Sequence, residues 1–178
     1  LTKFDFTATT LGFTKIASIS VLTDELVRFS SPSAEALVRD ALVAANVERA
    51  DVDFIDPTQA AVANVNPASI TNGLTPMTPS GTSADAARAD LARVVKTYLD
   101  DNNNPASLVL LMPMSLALSL SVMVNSLGQP EFPSLSMRGG TLQGIPVITS
   151  QYLANRSGAG NLVVAVNAGD IFLADDGQ

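Results

Sequence analysis

Apolar positions recur along this chain with two different periods, and each period predicts an element. From Phe4 to Ser20 the spacing is near two: Phe4, Phe6 and Phe13 alternate with Thr-rich positions, and Lys15 to Val21 keeps the alternation. Alternation predicts an extended run. Thr23 then reads as an N-cap for a short helix to about Phe29, with Asp24 and Glu25 in a first turn that suits the helix dipole. A longer helix follows. Ser31 caps it, Pro32 fits the first helical position, and Leu37, Val38, Ala41, Leu42, Ala45, Val47, Ala50 and Phe54 recur at helical spacing. It is expected to stop near Asp56-Pro57, because proline cannot continue a helix and restricts the residue before it.

Thr58 to Gly81 carries prolines, glycines and small polar residues and reads as a long loop, with a possible short strand and turn at Ile70-Thr71-Asn72-Gly73. Thr82-Ser83-Ala84-Asp85 has the form of a capping box opening another helix, whose apolar face is Ala87, Leu91, Val94, Val95, Tyr98 and Leu99. The run Ser107 to Met112 predicts a fully buried strand. Pro113 opens a third helix to about Asn125, with Leu116, Leu120, Met123, Val124 and Leu127 on one face and Gly128 as its C-terminal cap. Gln129 to Gly140 reads as irregular. Thr141 to Ser150 reads as one strand kinked at Gly144-Ile145-Pro146, with Pro146 at an edge or a bend. Ser157 to Gly160 is a loop, and Asn161 to Val166 and Asp170 to Ala174 are two more strands. This order predicts an α+β fold with a mixed sheet and helices packed on it.

Composition narrows the function. The 178 residues include no His and no Cys. That removes disulfides, His- or Cys-based zinc sites, Ser-His-Asp and Cys-His nucleophile systems, and the usual general base near neutral pH. Charged residues are only 15% of the chain and hydrophobic ones 47%, with much of the latter alanine. Low charge suits subunit contacts, whose cores are depleted of charged residues. The net charge of −7 opposes nucleic-acid binding, which needs a basic footprint. No apolar run reaches the length of a membrane span. The chain starts at Leu1 and ends at Gln178, and both ends read as cut rather than natural.

Few candidate sites survive weighing. Asp51, Asp53 and Asp56 cluster, as do Asp100 with Asp101 and Asp175 with Asp176. A divalent-cation site or an acid–base pair is the functional reading. No glycine-bearing calcium loop surrounds any of them, so solvated helix ends and turns are the expectation. Asn155-Arg156-Ser157 matches a glycosylation sequon that is read as chance. Gly158-Ala159-Gly160 lacks the helix and Lys-Ser/Thr pair of a phosphate loop. Lys3, Lys15 and Lys96 are the only lysines, and none is expected to be catalytic. Met112, Met114 and Met123 read as core filler. No catalytic, cofactor or metal residue is expected.

The ordered set of segments resembles the major capsid proteins of tailed phages, of the Hong Kong ninety-seven type. Lys15 to Leu26 is similar to the strand returning from that family's extended loop. Ser31 to Leu37, followed by Asp51 to Asp56, resembles its spine helix. Leu108 to Pro113, the helix after it and Gly128-Gln129-Pro130 resemble the central strand and helix of its axial domain. Gly140 to Ile148 carries the most specific likeness, and Asn167 to Asp175 resembles the next strand pair. The resemblance implies a returning strand of the extended loop at 1–22, a peripheral-domain part with the spine helix at 23–75, and a mixed-sheet axial domain flanked by helices at 76–178. It implies a non-enzymatic subunit, self-assembling as pentamers and hexamers into an icosahedral shell around phage DNA. Implied partners are copies of itself and, in the full system, portal, scaffold and maturation protease. Neither sequence-specific nucleic acid nor membrane is implied, and the site of action is the virion. An encapsulin-type bacterial compartment shell is the alternative with the same fold, and a carboxylate-dependent hydrolase is a third reading.

Overall fold

The computed structural model describes residues 14, 16–23, 32–100, 104–125, 127–153 and 161–171. They belong to two compact units, residues 1–73 and 74–178, each described by itself.

In the first unit the helical spacing is realised as α1, Pro32–Ile55. Pro32 is its first residue, where a missing N–H costs nothing, and Glu35 stands in its first turn. Among its described side chains only Ile55, at the C-terminal end, is buried, while Leu37, Val43 and Val47 are exposed. The expected apolar face therefore has little cover within these residues. The expected short helix at 23–29 lies outside the described residues beyond Thr23, as do Phe4 to Phe13 of the extended run. Residues 16–22 form no strand, in contrast to the strand expected there, and Ile19 and Val21 are 91% and 93% exposed. Alternation marks residues able to pair, and no partner strand lies beside these ones among the described residues.

The loop after α1 is irregular but tightly built. Four successive carbonyls leaving the helix each accept a hydrogen bond from the segment 69–72. The Phe54 carbonyl accepts from the Ile70 amide at 3.0 Å and that of Ile55 from the Thr71 hydroxyl. The Asp56 carbonyl accepts from the Ser69 hydroxyl at 2.6 Å and that of Pro57 from Asn72 Nδ2 at 2.8 Å. Helix ends leave unsatisfied carbonyls, and here the returning chain satisfies them. The strand considered at 70–73 is thus a turn, its polar groups committed to the helix end instead of to a ladder.

In the second unit α2, Ala84–Asp100, is capped by Ser83, whose hydroxyl accepts from the Ala86 amide at 3.2 Å. The cap is one residue later than the expected box. Asp85 consequently pairs with Arg88 at 2.9 Å and does not close a box. The buried run becomes β1, Leu108–Pro113, followed directly by α3, Met114–Ser121. The remaining strands are β2 Leu135–Ser136, β3 Gly139–Leu142, β4 Ile145–Ser150 and β5 Val164–Asn167. They make one mixed sheet in the order β2-β3-β4-β1-β5. β1 runs parallel to β4 and antiparallel to β5. The chain is α+β, with three α-helices and this five-stranded sheet among the described residues.

Leu108, Leu110 and Met112 of β1 are buried, and Val109 and Leu111 half-buried, so the strand is apolar on both faces as a central strand should be. Leu110, Met112, Ala117, Leu120, Phe132, Leu135, Leu142 and Val147 form the core, with Ala84, Ala87 and Leu91 of α2 packed against it. Met112 and Met123 serve that core. Three expectations need correction. α3 ends at Ser121, not near Asn125, because Ser119 and Ser121 turn their hydroxyls back onto the Ser115 and Leu118 carbonyls and the chain then leaves for a bridge between Val124 and Pro130. Val124 and Leu127 are therefore exposed, and Gly128 serves a turn rather than the helix cap. The expected kink at 144–146 is a two-residue hairpin turn between β3 and β4, with Gln143 and Gly144 at φ 51° and 83°.

Pro146 sits in β4, an interior strand, not at an edge. It faces Thr141, one step beyond the Leu142–Ile145 pair that closes the hairpin, so its missing N–H points away from β3. Pairing with β1 starts only at Val147, one residue after Pro146. Of the last two expected strands, one is β5, while Ala168–Asp170 is a single 3-10 turn and residues beyond Ile171 lie outside the described ones.

Candidate functional site

Of the carboxylates that cluster in the sequence, Asp53, Asp56 and Asp100 are engaged separately. Asp53 is clasped by Arg49 one turn before it, Nη2 at 2.8 Å from one oxygen and Nε at 3.2 Å from the other. Asp56 accepts from both the amide and the hydroxyl of Thr58, at 2.9 and 2.7 Å, which is an Asx turn after the helix. Asp100 pairs with Lys96 at 2.6 Å. No three His, Cys, Asp or Glu side chains among the described residues stand where they could hold a metal ion. Asp101, Asp175, Asp176, the sequon at Asn155, the loop 157–160, Lys3 and Lys15 lie outside the described residues.

The surroundings of Asp90 favour its charged form. The Ser80 backbone amide donates to it at 2.9 Å, and this bond is the main cause of a pKa below the ordinary carboxylate value. The Ser80 hydroxyl and the Arg93 guanidinium act in the same direction, and partial desolvation opposes them. Arg93 also donates to the Thr78 carbonyl at 2.5 Å. Together they clip residues 78–80 onto α2. Arg88 bridges Asp85 and the little-exposed Glu131, the latter at 2.7 Å, and so ties α2 to the segment entering β2. These contacts fix structure and gather no reactive group.

What the surface offers instead is apolar area on well-held backbone. In the first unit the turn Val62–Asn66 closes with the Val62 amide on the Asn66 carbonyl at 2.9 Å, and Asn66 Nδ2 holds the Ala60 and Pro67 carbonyls. Val62 and Val65 are exposed on it. In the second unit Leu118 and Val122 stand one helical turn apart at the end of α3, and both are exposed. Beyond them the chain makes a tight turn organised by Asn125. Its side-chain oxygen accepts the Leu127 and Gln129 amides, both at 3.0 Å, while its own amide donates to the Gln129 carbonyl at 2.8 Å. Gly128 takes φ +77°, and Leu127 is 82% exposed.

This tip is the feature that reading the sequence by period misassigns, since Val124 and Leu127 fall on a helical core face. Two signals in the residues mark it. Asn125 and Gly128 are spaced for a turn. No Asp, Glu, Lys or Arg occurs from Asn102 through Pro130, and only Glu131, Arg138 and Arg156 occur from there to Ala168. Surfaces that face bulk water alone carry mixed charge.

Comparison with known proteins decides the family. The model of the phage capsid family matches residues 1–176. The chain belongs to the phage capsid family. A capsid polyprotein of Pseudomonas phage PAJU2 is 54% identical over 177 residues, which is 99% of this chain and 26% of that protein. This phage capsid chain thus spans about a quarter of the length of that relative. No solved structure matches it. The encapsulin alternative gains no support from these comparisons. Among the described residues, no helix of this capsid chain is long and apolar enough to cross a membrane.

Proposed function

We propose that this chain is part of a structural shell subunit that assembles with copies of itself, as pentamers and hexamers, into an icosahedral capsid enclosing phage DNA. The observation that carries the reading is the capsid-family match across nearly the whole chain. In this reading residues 1–22 are the returning strand of an extended loop, with residues 16–22 pairing only where a neighbouring strand is supplied from outside the described residues, 23–75 a peripheral-domain part with α1 as spine helix, and 76–178 an axial domain. The length of α1 and the mixed sheet after residue 76 support that layout. Portal, scaffold and maturation protease are its partners in the full system, assembly takes place in the bacterial host cytoplasm, and the virion is where it acts. It performs no catalysis and binds no cofactor, metal or specific nucleic-acid sequence. The sequence supports this with no His, no Cys and a net charge of −7.

The physical logic of the reading is that a shell needs surfaces able to meet other subunits, and few charges with many exposed apolar residues provide them. Electron microscopy of the full natural protein under a range of assembly conditions tests it. Closed particles are expected. Only small monodisperse species under every condition would end the reading.

A further inference from the structure

The tip formed by the end of α3 and the turn after it combines three properties. Leu118, Val122, Val124 and Leu127 are all exposed, between 46% and 82%. The described backbone around them is hydrogen-bonded within the chain: Val122 and Met123 donate to the Leu118 and Leu120 carbonyls, Glu131 to that of Met123, and the Asn125 side chain accepts from the Leu127 and Gln129 amides. The segment carries no charged side chain from 102 to 130. We propose that this tip is a contact by which the chain binds a second copy of itself. The proposal rests on the shell-subunit reading and names one surface that serves it.

The charge pattern selects the occupant. A basic partner is met by carboxylates, and an acidic one or a nucleic acid by Lys and Arg; the tip has neither. A second copy also carries the net charge of −7, so two copies repel, and least so where the surfaces that meet carry no charge of their own. The tip is such a place. Contact there buries leucine and valine without desolvating an ion. It also orders little, because the turn is held by Asn125 before any partner arrives, and a preorganised surface loses less entropy on binding.

The test uses the full natural protein with Leu127→Asp and the control Leu127→Met. Wild type and Leu127→Met are expected to form particles. Leu127→Asp is expected to lower particle yield by about tenfold or more at equal concentration, the size of effect a buried anchor residue produces. The melting of its unassembled subunits should be unchanged. Normal assembly of Leu127→Asp overturns the proposal and leaves the shell reading intact. Failure of the wild type to assemble defeats the shell reading itself and this proposal with it. Should Leu127→Asp not fold, Leu127→Cys decides, with the full wild-type protein labelled in parallel as the background, because these 178 residues themselves hold no thiol. Maleimide labelling at that position is expected to be blocked in particles and open in free subunits; equal labelling overturns the proposal. Normal assembly of Leu127→Asp combined with loss of wild-type binding to neutral lipid vesicles assigns the tip to a membrane surface and also overturns it.

Discussion

At the residue scale, buried polar side chains matter here for the carbonyls they satisfy. Thr71 is buried and its hydroxyl donates to the Ile55 carbonyl at the end of α1. Thr71→Val keeps the shape and removes the donor, leaving that carbonyl without its partner. Such a loss costs about 1–3 kcal/mol, so a lowered urea midpoint for unfolding of the first unit is expected. An unchanged midpoint would mean that the clasp contributes nothing net. Asp90 makes a different kind of prediction. Its folded pKa lies below its unfolded value. The resulting stability is complete above the ordinary carboxylate range and is lost as pH falls through the lowered folded value. Asp90→Asn can still accept from Ser80 but carries no charge. It should melt lower than wild type at neutral pH, and the gap should close in acid. Melting curves at a series of pH values check this, and a gap independent of pH would contradict it.

At the scale of elements, glycine positions separate steric demand from mere conformational preference. Gly140 has φ +139°, and a Cβ there would collide with the Ser134 carbonyl oxygen. Gly144 has φ +83° in the hairpin turn, with nothing within 4 Å of an added Cβ. Gly144→Ala should therefore cost about 1 kcal/mol, the strain of a left-handed residue alone. Gly140→Ala adds a backbone clash between β3 and the segment before β2, and a cost above about 3 kcal/mol is expected. Equal melting temperatures for the two variants would refute the distinction. Much at this scale was legible in the residues. Pro32 and Pro57 bracket α1 closely, and the apolar run before Pro113 is β1. Period alone could not place the end of α3, because Val122, Val124 and Leu127 continue the helical spacing while serine hydroxyls and Asn125 direct the backbone elsewhere. Nor could it separate a kink from a hairpin at Gln143-Gly144, since a positive φ at Gln143 is set by the pairing on either side. As for a site, Asp53 and Asp100 stand in separate ion pairs and Asp56 in a turn. The exposed tip carried its mark in an absence of charge, which a search for reactive residues passes over.

At the scale of the whole molecule, a net charge of −7 and an apolar, locally neutral tip pull in opposite directions. Repulsion between like-charged chains is long-ranged and screened by salt, with a Debye length of about 10 Å at 0.1 M. Apolar contact is short-ranged and not screened. Self-association of the 178-residue chain, to which that charge belongs, should therefore strengthen as sodium chloride rises, seen as a shift to larger species in sedimentation velocity. Weakening with salt would point to contacts built on ion pairs instead. The turn at Asn125 carries one more consequence. The hydrogen bonds across it come from the Asn125 side chain and from backbone amides, and none comes from the side chain of Leu127. Lineages can thus alter size or polarity at 127 without disturbing the scaffold beneath. Partner preference could drift by exchange of one outward side chain, and closely related shells sharing a host cell could diverge in compatibility while their folds stay alike.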